Sequence, residues 1–361
     1  MEFTDKDLAA GTDHACADEA QHPLGQFAIN DTQHQEMLAG RVDDVEVLTR
    51  IALKGQSTVI YAAPNTGKTL VTLALLCEAV QNGRVSGKNI YYVNMDDTAN
   101  GMLEKLMIVN QFGIQILGGD INGFSVSQFH LAMLRMIEDG SAKDSVIVLD
   151  TLKKFVDLMD KSNSSNFTNL VRRFVMKGGT LIALAHTNKN PGADGRRKHS
   201  GTSDVVDDFD AALMMELVED GDTERVTVEL SNFKKRSNLP EKSYCTYAKK
   251  GVNSYAEKFE SVKMLNDAEV EAQRIAAQLS KDSEAISAIK DCLLNGVVKR
   301  MDIAKEVGKQ TDISRRVVLE VLDRYAGTDT VLHQWSVRKG SHNAQIYSLM
   351  PNAAPVDNDE F

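Results

Sequence analysis

The middle of the chain alternates between short apolar runs and longer segments in which apolar residues recur every three to four positions. The runs at 57–63, 88–95, 145–150 and 180–186 are largely uninterrupted by polar residues, which predicts strands buried on both faces. The segments between them predict amphipathic helices. This order indicates an α/β fold in which helices cover a mostly parallel sheet.

The pattern changes on both sides of this region. Segments 211–220, 224–235 and 244–250 predict antiparallel strands that extend the edge of the sheet, because they combine β-branched, aromatic and charged residues. Upstream, the spacing of apolar residues in 42–53 predicts a helix.

The remaining segments divide the chain. Residues 1–36 lack periodicity and are rich in Asp, Gln, His and Ala, which indicates a mobile acidic arm. Residues 253–282 are charged and alanine-rich, as expected for a linker with some helix. Residues 283–350 predict three short helices and a hairpin, the pattern of a winged-helix-like domain. We therefore expect an α/β domain at 37–252 and a disordered tail at 351–361.

Composition narrows the classes of function. The formal net charge of -10 argues against a surface that binds polyanions over its whole extent, although a local basic channel can coexist with an acidic exterior. The four cysteines lack the spacing of zinc sites and indicate no disulfide framework. Runs of about 18 uncharged apolar residues are absent and the N-terminus is acidic, so we expect a soluble, cytoplasmic protein without a membrane partner.

The segment 61–70, YAAPNTGKTL, fits the phosphate-loop pattern with one substitution, because Ala62 stands where the first glycine is most common. It lies between a predicted strand and a predicted helix, which is the context that the motif requires. Its chemistry needs backbone N–H groups around phosphate oxygens, a lysine for the outer phosphates and a hydroxyl for Mg²⁺. The alternative is a plain strand-to-helix turn. The predicted nucleotide-binding residues are Ala62, Ala63, Pro64, Asn65, Thr66, Gly67, Lys68, Thr69 and Leu70.

Two acidic positions follow predicted strands. Asp150 ends the apolar run 145–150 and is the predicted carboxylate of a Mg²⁺ site, together with the Thr69 hydroxyl. Its alternative role is to cap the next helix. Asp96, with Asp97 beside it, follows the second strand, and we select Asp96 as the group that orients or deprotonates the attacking water. The alternative for this pair is a solvated acidic turn.

Five motifs, taken in order, resemble those of one known family. They are Lys68 and Thr69 in the phosphate loop, an acid after the second strand, Asp150 followed by Thr151, LAHTNK at the end of a strand, and NFKKRSN on a later strand. Over residues 36–250 the chain resembles the RecA-like ATPase core of the DnaB-type hexameric replicative helicases, above all the plasmid RepA-type and related phage helicases. The resemblance implies a RecA-like P-loop NTPase fold, ATP and Mg²⁺ as cofactors, and a homo-oligomeric ring, expected to be a hexamer.

The resemblance also implies roles for single residues. Asp96 takes the position of the catalytic carboxylate, and His186 takes the position that senses the γ-phosphate. Lys234 and Arg236 take positions that reach across a subunit boundary to the neighbour's nucleotide. A guanidinium that acts on a γ-phosphate in trans makes activity depend on assembly.

The sequence departs from the family at two points. The catalytic acid is usually Glu, and Asp96 is one methylene shorter. The basic pair is usually followed by glycine, whereas Ser237 and Asn238 follow here. Two alternatives remain open: the KKR cluster as exposed charge on an edge strand, and His186 as a hydrogen-bonded residue at a strand end.

Basic residues in loops and in the C-terminal module predict contacts with DNA. The glycine-containing basic loop at 188–203 follows a strand, and the resemblance implies that it lines a channel and holds one DNA strand by its phosphates. The module has ten Lys and Arg against eight Asp and Glu, so protein docking and a structural role stay open beside DNA contact. The predicted DNA-contacting residues are Lys161, Lys189, Arg196, Arg197, Lys198, Arg315, Arg316, Arg338 and Lys339.

Together these features predict an ATP-driven helicase ring that moves along single-stranded DNA in plasmid or phage replication. A primase, a loader or a replication-initiator protein are the further partners expected. Two other interpretations stay open. One is a DNA-dependent ATPase that does not unwind, such as a recombinase, a helicase loader, or a partition or transposition factor. The other is an ATP-gated regulator that binds DNA through its winged helix.

Overall fold

The structure is a computed structural model that describes residues 24–39, 44–156, 161–187, 203–218, 224–249, 254–329 and 333–350. The chain divides into two units, Met1–Val45 and Glu46–Phe361. The second unit contains all the strands in the described part of the chain.

The first unit contains a 3-10 helix at Gly25–Phe27 and one α-helix, α1, at Asp31–Ala39. Two side chains cap α1 reciprocally. The Gln33 N–H donates to Asn30 Oδ1 at 2.8 Å, and the Asn30 N–H donates to Gln33 Oε1 at 3.1 Å. The sequence analysis expects little order before residue 36. The helix at this position follows from the N-x-x-Q capping pair, which has a sequence signature of its own.

Residues 46–53 form a small hairpin and not the predicted helix. Strand β1 (Glu46–Leu48) pairs antiparallel with β2 (Ala52–Leu53). Arg50 in the turn has a φ of 60°, and the Ile51 N–H donates to the Leu48 carbonyl at 2.9 Å. The helix prediction was wrong here because clustered apolar residues fit a short hairpin as well as a helical period.

A nine-stranded sheet forms the centre of the second unit. Its strands are β3 (Ser57–Ala62), β4 (Ile90–Asn94), β5 (Gln115–Gly118), β6 (Val146–Asp150), β7 (Thr180–His186), β8 (Ala211–Val218), β9 (Arg225–Lys235), β10 (Lys242–Ala248) and β11 (Lys263–Leu265). Their order is β11-β10-β9-β8-β3-β7-β6-β4-β5. Strands β3 to β8 pair in parallel, and β9, β10 and β11 extend one edge in antiparallel pairs. The predicted α/β fold with a mostly parallel sheet and antiparallel edge strands is confirmed.

Helices cover both faces of this sheet. They are α2 (Lys68–Gln81), α3 (Ala99–Val109), α4 (Val126–Asp139), α5 (Lys161–Met176), α6 (Ser203–Asp208) and α7 (Tyr255–Glu260). Side chains of α2 and the β1–β2 hairpin share one hydrophobic core with Ile60, and side chains of α4 and α5 share the other with Val59 and Tyr61. Strand β3 is therefore buried on both faces, as its uninterrupted apolar run predicts.

Residues 254–282 belong to regular elements, where the sequence analysis expects a linker. They contain α7, the edge strand β11 and the first part of α8 (Asp267–Leu294). Reciprocal capping boxes start both helices, Ser254 with Glu257 and Asn266 with Glu269. These caps favour helix in a segment whose charged composition indicates a linker.

The last part of the second unit contains three helices and a hairpin, as predicted. Helix α8 is followed by α9 (Arg300–Gln310), α10 (Arg315–Arg324), β12 (Trp335–Lys339) and β13 (Gln345–Leu349). Trp335 and Tyr347 are buried in a separate core with side chains of all three helices. The Trp335 indole N–H donates to the Leu322 carbonyl at 2.8 Å. Among the described residues, no helix has the length and apolar character needed to cross a membrane.

Asp210 organises a charged cluster at the amino ends of β3 and β8. Its Oδ2 accepts hydrogen bonds from the Ser57 N–H at 3.0 Å and the Ser57 hydroxyl at 2.9 Å. Its Oδ1 accepts from Arg172 at 3.0 Å and from Arg236 at 3.2 Å. Burial alone would raise the pKa of Asp210, but Ser57 and Arg172 outweigh burial and lower it below the ordinary value. One carboxylate therefore joins β3, α5 and the end of β9.

Replacement of Asp210 by Ala should lower the free energy of unfolding by about 3 kcal/mol, because two donors of Ser57 and two guanidinium groups lose their acceptor. Since folding lowers the pKa of Asp210, its contribution is present above the ordinary carboxyl pKa and is lost as the pH falls through the folded-state value. Urea unfolding at neutral and acidic pH measures this difference.

The control for this prediction is Glu320→Ala, which breaks an exposed ion pair with Arg316. It should leave the free energy of unfolding unchanged within error. Equal effects of the two substitutions would contradict the structural role of Asp210.

Candidate functional site

The carboxyl ends of four neighbouring parallel strands meet at one edge of the sheet. Ala62 at the end of β3 lies opposite His186 at the end of β7. Asp150 at the end of β6 lies opposite Asn94 at the end of β4, two residues before Asp96. Four segments that are far apart in sequence therefore end at this edge, as the site prediction requires.

Residues 63–67 form a tight loop between β3 and α2. Asn65 and Gly67 have positive φ values of 63° and 89°, and Gly67 is the N-cap of α2. The Thr66 hydroxyl donates to the Ala63 carbonyl at 2.8 Å. Turns of this kind form concave groups of backbone N–H donors, here beside the positive end of a helix dipole. This arrangement favours anions.

Lys68, the first residue of α2, is buried, with 8% of its surface exposed. Among the described residues, no hydrogen bond or ion pair joins its ammonium directly to a partner. Burial lowers the pKa of Lys68, and the charges of Asp150 and Asp96 oppose this effect without cancelling it. The ammonium thus lies near two carboxylates in surroundings that disfavour its charge. A cation in such a position is stabilised by an anionic ligand.

Asp150 is held by two hydroxyl groups. Its Oδ2 accepts hydrogen bonds from the Thr69 hydroxyl at 2.6 Å and from the Tyr92 hydroxyl at 2.6 Å. Burial raises the pKa of Tyr92, so its hydroxyl keeps its proton and remains a donor. Thr69 and Asp150 are paired in the prediction from the sequence, but Tyr92 is not part of it, because a tyrosine within an apolar strand has the pattern of a core residue.

Asp96 lies just beyond β4 among cationic side chains. Lys154 Nζ is 3.1 Å from its Oδ1, and Lys153 Nζ is 3.8 Å from its Oδ2. The Thr151 hydroxyl donates to Oδ2 at 3.2 Å. Burial alone would raise the pKa of Asp96, but the two lysines outweigh it and lower the pKa below the ordinary value. Neither lysine is among the site residues predicted from the sequence, although both follow Asp150 within four positions.

Asp97 has a different role from its neighbour. Its carboxylate pairs with Lys105, whose ammonium also lies 5.5 Å from the centre of the Tyr255 ring. This pair joins α3 to the end of β4. The charge of Asp96 raises the pKa of Lys68, whereas the Asp97 carboxylate is paired with Lys105. The geometry therefore favours Asp96, the residue selected from the sequence.

His186 ends β7 beside the start of the 63–67 loop. Burial lowers the pKa of His186, and the charges of Lys68 and Lys153 lower it further. The imidazole is therefore neutral at neutral pH. A neutral imidazole donates a hydrogen bond from one ring nitrogen and accepts one at the other.

Lys234 and Arg236 do not join this edge within one chain. The Arg236 N–H donates to the Asp210 carbonyl at 3.1 Å, and the Asp210 N–H donates to the Ser57 carbonyl at 2.9 Å. Arg236 is therefore level with the first residue of β3. Ala62 lies five residues further along that strand, about 16 Å at ~3.3 Å per residue.

Both cations have partners in their own chain. Lys234 Nζ donates to the Val206 carbonyl at 2.8 Å and also to the Asp207 carbonyl, both in α6. Arg236 donates to the Asp210 carboxylate at 3.2 Å. The alternative of exposed charge on an edge strand does not fit, because β9 lies between β8 and β10 in the sheet. The contacts within the chain leave a role in trans open.

The predicted DNA-contacting loop lies outside the described residues. This applies to Lys189, Arg196, Arg197 and Lys198. Lys161 is the first residue of α5.

The other four predicted DNA contacts lie in the C-terminal module. Arg315 and Arg316 start α10 after the N-cap Ser314 and are exposed. Arg338 and Lys339 are exposed at the end of β12. All four side chains are exposed on the described surface, and Arg316 also forms an ion pair with Glu320 at 2.9 Å.

Neither a family model nor a curated protein sequence matches the chain. A function for this protein therefore has to follow from the arrangement of its own side chains and from the order of its motifs. The buried Lys68 behind a tight loop, together with the Thr69 and Asp150 oxygens, forms a site suited to an anion and a hard cation.

Replacement of Lys68 by Met should leave the free energy of unfolding unchanged or raise it by up to about 1 kcal/mol, because a buried ammonium with no direct partner in the described part of the chain is exchanged for an apolar side chain of similar length. Lys105 is the matched control, since it is also 8% exposed but is paired with Asp97. Lys105→Met should lower the free energy of unfolding by about 2 kcal/mol. Urea unfolding without ligand measures the free energy of unfolding of both variants. Equal losses would show that Lys68 is a structural residue.

Proposed function

We propose that this protein is a Mg²⁺-dependent ATPase with a RecA-like P-loop core, which assembles into a ring, expected to be a hexamer, and unwinds DNA by moving along a single strand. The observation that carries ATP binding is the buried ammonium of Lys68. It lies at the first turn of α2, behind a loop with two positive-φ residues. The terminal phosphates of a nucleotide would be the direct anionic partner that this ammonium lacks among the described residues.

The order of the sheet supports a RecA-like core. The phosphate loop follows β3, Asp150 ends β6 two strands away, and His186 ends the strand between them. Ligands of open parallel sheets bind at the carboxyl ends of the strands, where all three groups lie. The three helices and hairpin after residue 266 support a winged helix as the second domain.

The oxygen ligands at this edge fit Mg²⁺. Among the described residues, no group of three or more His, Cys, Asp or Glu could hold a metal ion. Mg²⁺ in phosphate-transfer sites needs few protein ligands, because water and phosphate oxygens complete its shell. Thr69 and Asp150 would hold it, directly or through water. The ion would neutralise the charge on the phosphates of ATP.

Asp96 acts on the attacking water. Because its pKa is lowered, Asp96 is ionised at neutral pH and is a weak proton acceptor. It therefore orients the water by accepting a hydrogen bond, while Lys153 and Lys154 hold its carboxylate. Neutral His186, next to Lys68, is placed to donate a hydrogen bond to the terminal phosphate.

Arg236 and Lys234 complete the site of a neighbouring subunit. Arg236 is level with the first residue of β3, about 16 Å along the strand from the phosphate loop of its own chain. Lys234 is level with Val59, about 10 Å from the end of that strand. Both distances favour a role in trans over a role in cis. On assembly, the γ-phosphate of the neighbour replaces Asp210 and the α6 carbonyls as their partner. An arginine supplied in trans accelerates phosphoryl transfer by roughly 10³ to 10⁵ in other enzymes.

DNA binding is supported by the exposed cations of the C-terminal module. Arg315 and Arg316 lie at the start of α10, and Arg338 and Lys339 lie on the hairpin, the positions from which a winged helix contacts phosphates. The motif order of residues 36–250 supports unwinding through its resemblance to replicative helicases. Primase, loader or initiator partners follow from the same resemblance.

The alternative of an ATP-gated regulator has one observation in its favour. The C-terminal module has its own hydrophobic core, which includes Trp335 and Tyr347. Such a module can bind duplex DNA while the ATPase controls the time of release. A DNA-dependent ATPase that does not unwind remains the other alternative.

Arg236→Ala should reduce ATP hydrolysis by at least about 100-fold, and Lys68→Ala should do the same. A mixture of the two should regain part of the rate, because the intact phosphate loop of one subunit meets the intact Arg236 of the other. Lys235→Ala is the matched control, since this neighbouring cation donates to the Leu239 carbonyl of its own chain at 2.8 Å. Hydrolysis is measured at several protein concentrations, with and without single-stranded DNA.

The outcomes separate the three functions. Stimulation by single-stranded DNA and strand displacement from a forked duplex support the helicase. Stimulation without strand displacement supports the ATPase that does not unwind. Wild-type hydrolysis in Arg236→Ala, with no effect of DNA, excludes the shared site and favours the regulator.

Tyr92→Phe should raise the Mg²⁺ concentration for half-maximal hydrolysis by about fivefold, because Asp150 loses one of its two hydroxyl donors. Tyr91→Phe is the matched control, since Tyr91 packs into the core on the other face of the sheet. Titration of ATP hydrolysis with Mg²⁺ measures both variants. The same shift in both would remove Tyr92 from the metal site.

A further inference from the structure

Tyr247 joins the antiparallel part of the sheet to the phosphate loop. It lies in β10, three strands from β3 in the sheet order. Two antiparallel pairings lie between β10 and β8, and β8 is parallel to β3, so β10 and β3 run in the same direction. Tyr247, near the end of β10, therefore lies at the carboxyl edge. Its hydroxyl donates to the Thr66 carbonyl at 3.0 Å, and both residues are buried, with 7% and 3% exposed.

The side chain of Tyr247 also lies against Gly67. A Cβ atom on Gly67 would be 2.7 Å from the Tyr247 hydroxyl oxygen and 2.9 Å from the nearest ring carbons. Gly67 has a φ of 89°, which itself favours glycine. Two independent constraints therefore require glycine here, and one of them is the close approach of Tyr247.

The hydrogen bond fixes the direction of one N–H group in the loop. The Thr66 carbonyl and the Gly67 N–H belong to the same planar trans peptide, in which C=O and N–H point in opposite directions. Because Tyr247 holds the carbonyl oxygen, the Gly67 N–H is directed to the side of the loop away from Tyr247. This N–H precedes the first residue of α2, the position from which phosphate loops donate to a phosphate.

We propose that Tyr247 is a positioning residue for nucleotide binding: its hydroxyl holds the Thr66 carbonyl and thereby directs the Gly67 N–H toward a phosphate of the nucleotide. This role rests on the proposed function, because it needs a phosphate in the loop. Tyr247 acts through the peptide between Thr66 and Gly67 and contacts neither the phosphate nor the metal ion.

The hydroxyl carries this role, and the ring does not. Burial raises the pKa of Tyr247 to about 12, so the hydroxyl keeps its proton at neutral pH. Phenylalanine would fill the same space but would leave the buried Thr66 oxygen without its donor. The peptide is then free to turn its oxygen toward the phosphate position, and nucleotide binding has to turn it back.

Two tyrosine-to-phenylalanine variants of the full chain separate this role from a general effect on the strand. Tyr247→Phe removes the hydroxyl at the loop. Tyr244→Phe, the matched control, removes a hydroxyl on the other face of β10, which donates to Glu229 at 2.6 Å. Calorimetric titration with ADP and with inorganic pyrophosphate, both with Mg²⁺, measures binding. Steady-state ATP hydrolysis gives kcat and KM, and thermal unfolding verifies that both variants fold.

Tyr247→Phe should weaken the binding of ADP and of pyrophosphate by about fivefold to tenfold, the contribution of one hydrogen bond. KM for ATP should rise by a similar factor while kcat stays within about twofold of wild type, because the Gly67 N–H binds the ground state and the transition state alike. Tyr244→Phe should match wild type in both measurements.

Wild-type affinity in Tyr247→Phe would overturn the role of Tyr247. Equal losses of affinity in both variants would also overturn it, since they would show a general loosening of β10. A fall in kcat at unchanged KM would contradict it as well. If wild type binds neither ADP nor pyrophosphate, the proposed function fails and the role of Tyr247 fails with it. If wild type binds both and Tyr247→Phe is unchanged, only the role of Tyr247 fails.

Discussion

The parallel register of β3, β7, β6 and β4 is the constraint on which the rest of the structure depends. Because these strands end at one level, Lys68, His186, Asp150 and Asp96 meet without long loops that would have to carry them there. The register is fixed by burial on both faces, since a slip by one residue would exchange the side chains of the two cores. The geometry of the polar edge is therefore determined by the packing of apolar residues behind it.

Charge at this edge differs in sign from the charge of the whole chain. Among the described residues, Lys68, Lys153 and Lys154 lie near the carboxylates of Asp96 and Asp150, in a protein whose formal net charge is -10. Burial weakens the hold of Lys68 on its proton, whereas the lysines strengthen the ionised form of Asp96. An acidic exterior with a local excess of cations directs anions to one place and away from the remaining surface.

The features that could be predicted from the sequence are those determined by residues close to one another in the chain. Uninterrupted apolar runs identify the buried strands, and parallel topology then places the residues after each strand at one edge, so the positions of Asp150 and Asp96 follow. The hairpin at 46–53 could not be separated from a helix, because eight residues with clustered apolar positions fit both. Residues 254–282 were expected as a linker because their composition is charged, although their capping boxes indicate helices.

Hydrogen bonds between residues on distant strands could not be predicted from the sequence. Tyr92 and Tyr247 both lie in strands as buried aromatic residues, and only the order of the sheet shows that their hydroxyls reach Asp150 and Thr66. That order, with β10 three strands from β3, is set by long-range packing and has no local signature. The same holds for Asp210, whose four hydrogen bonds join segments on both sides of it in sequence.

Helix α8 is continuous where the sequence predicts a linker with only some helix. It begins directly after β11 at the edge of the sheet and ends within the core of the C-terminal module, with no break over 28 residues. At 1.5 Å per residue such a helix is about 42 Å long. A tilt of ten degrees at its first turn would therefore displace its far end by about 7 Å. A small change in the direction of α8 at the edge of the sheet would therefore be amplified at the C-terminal module.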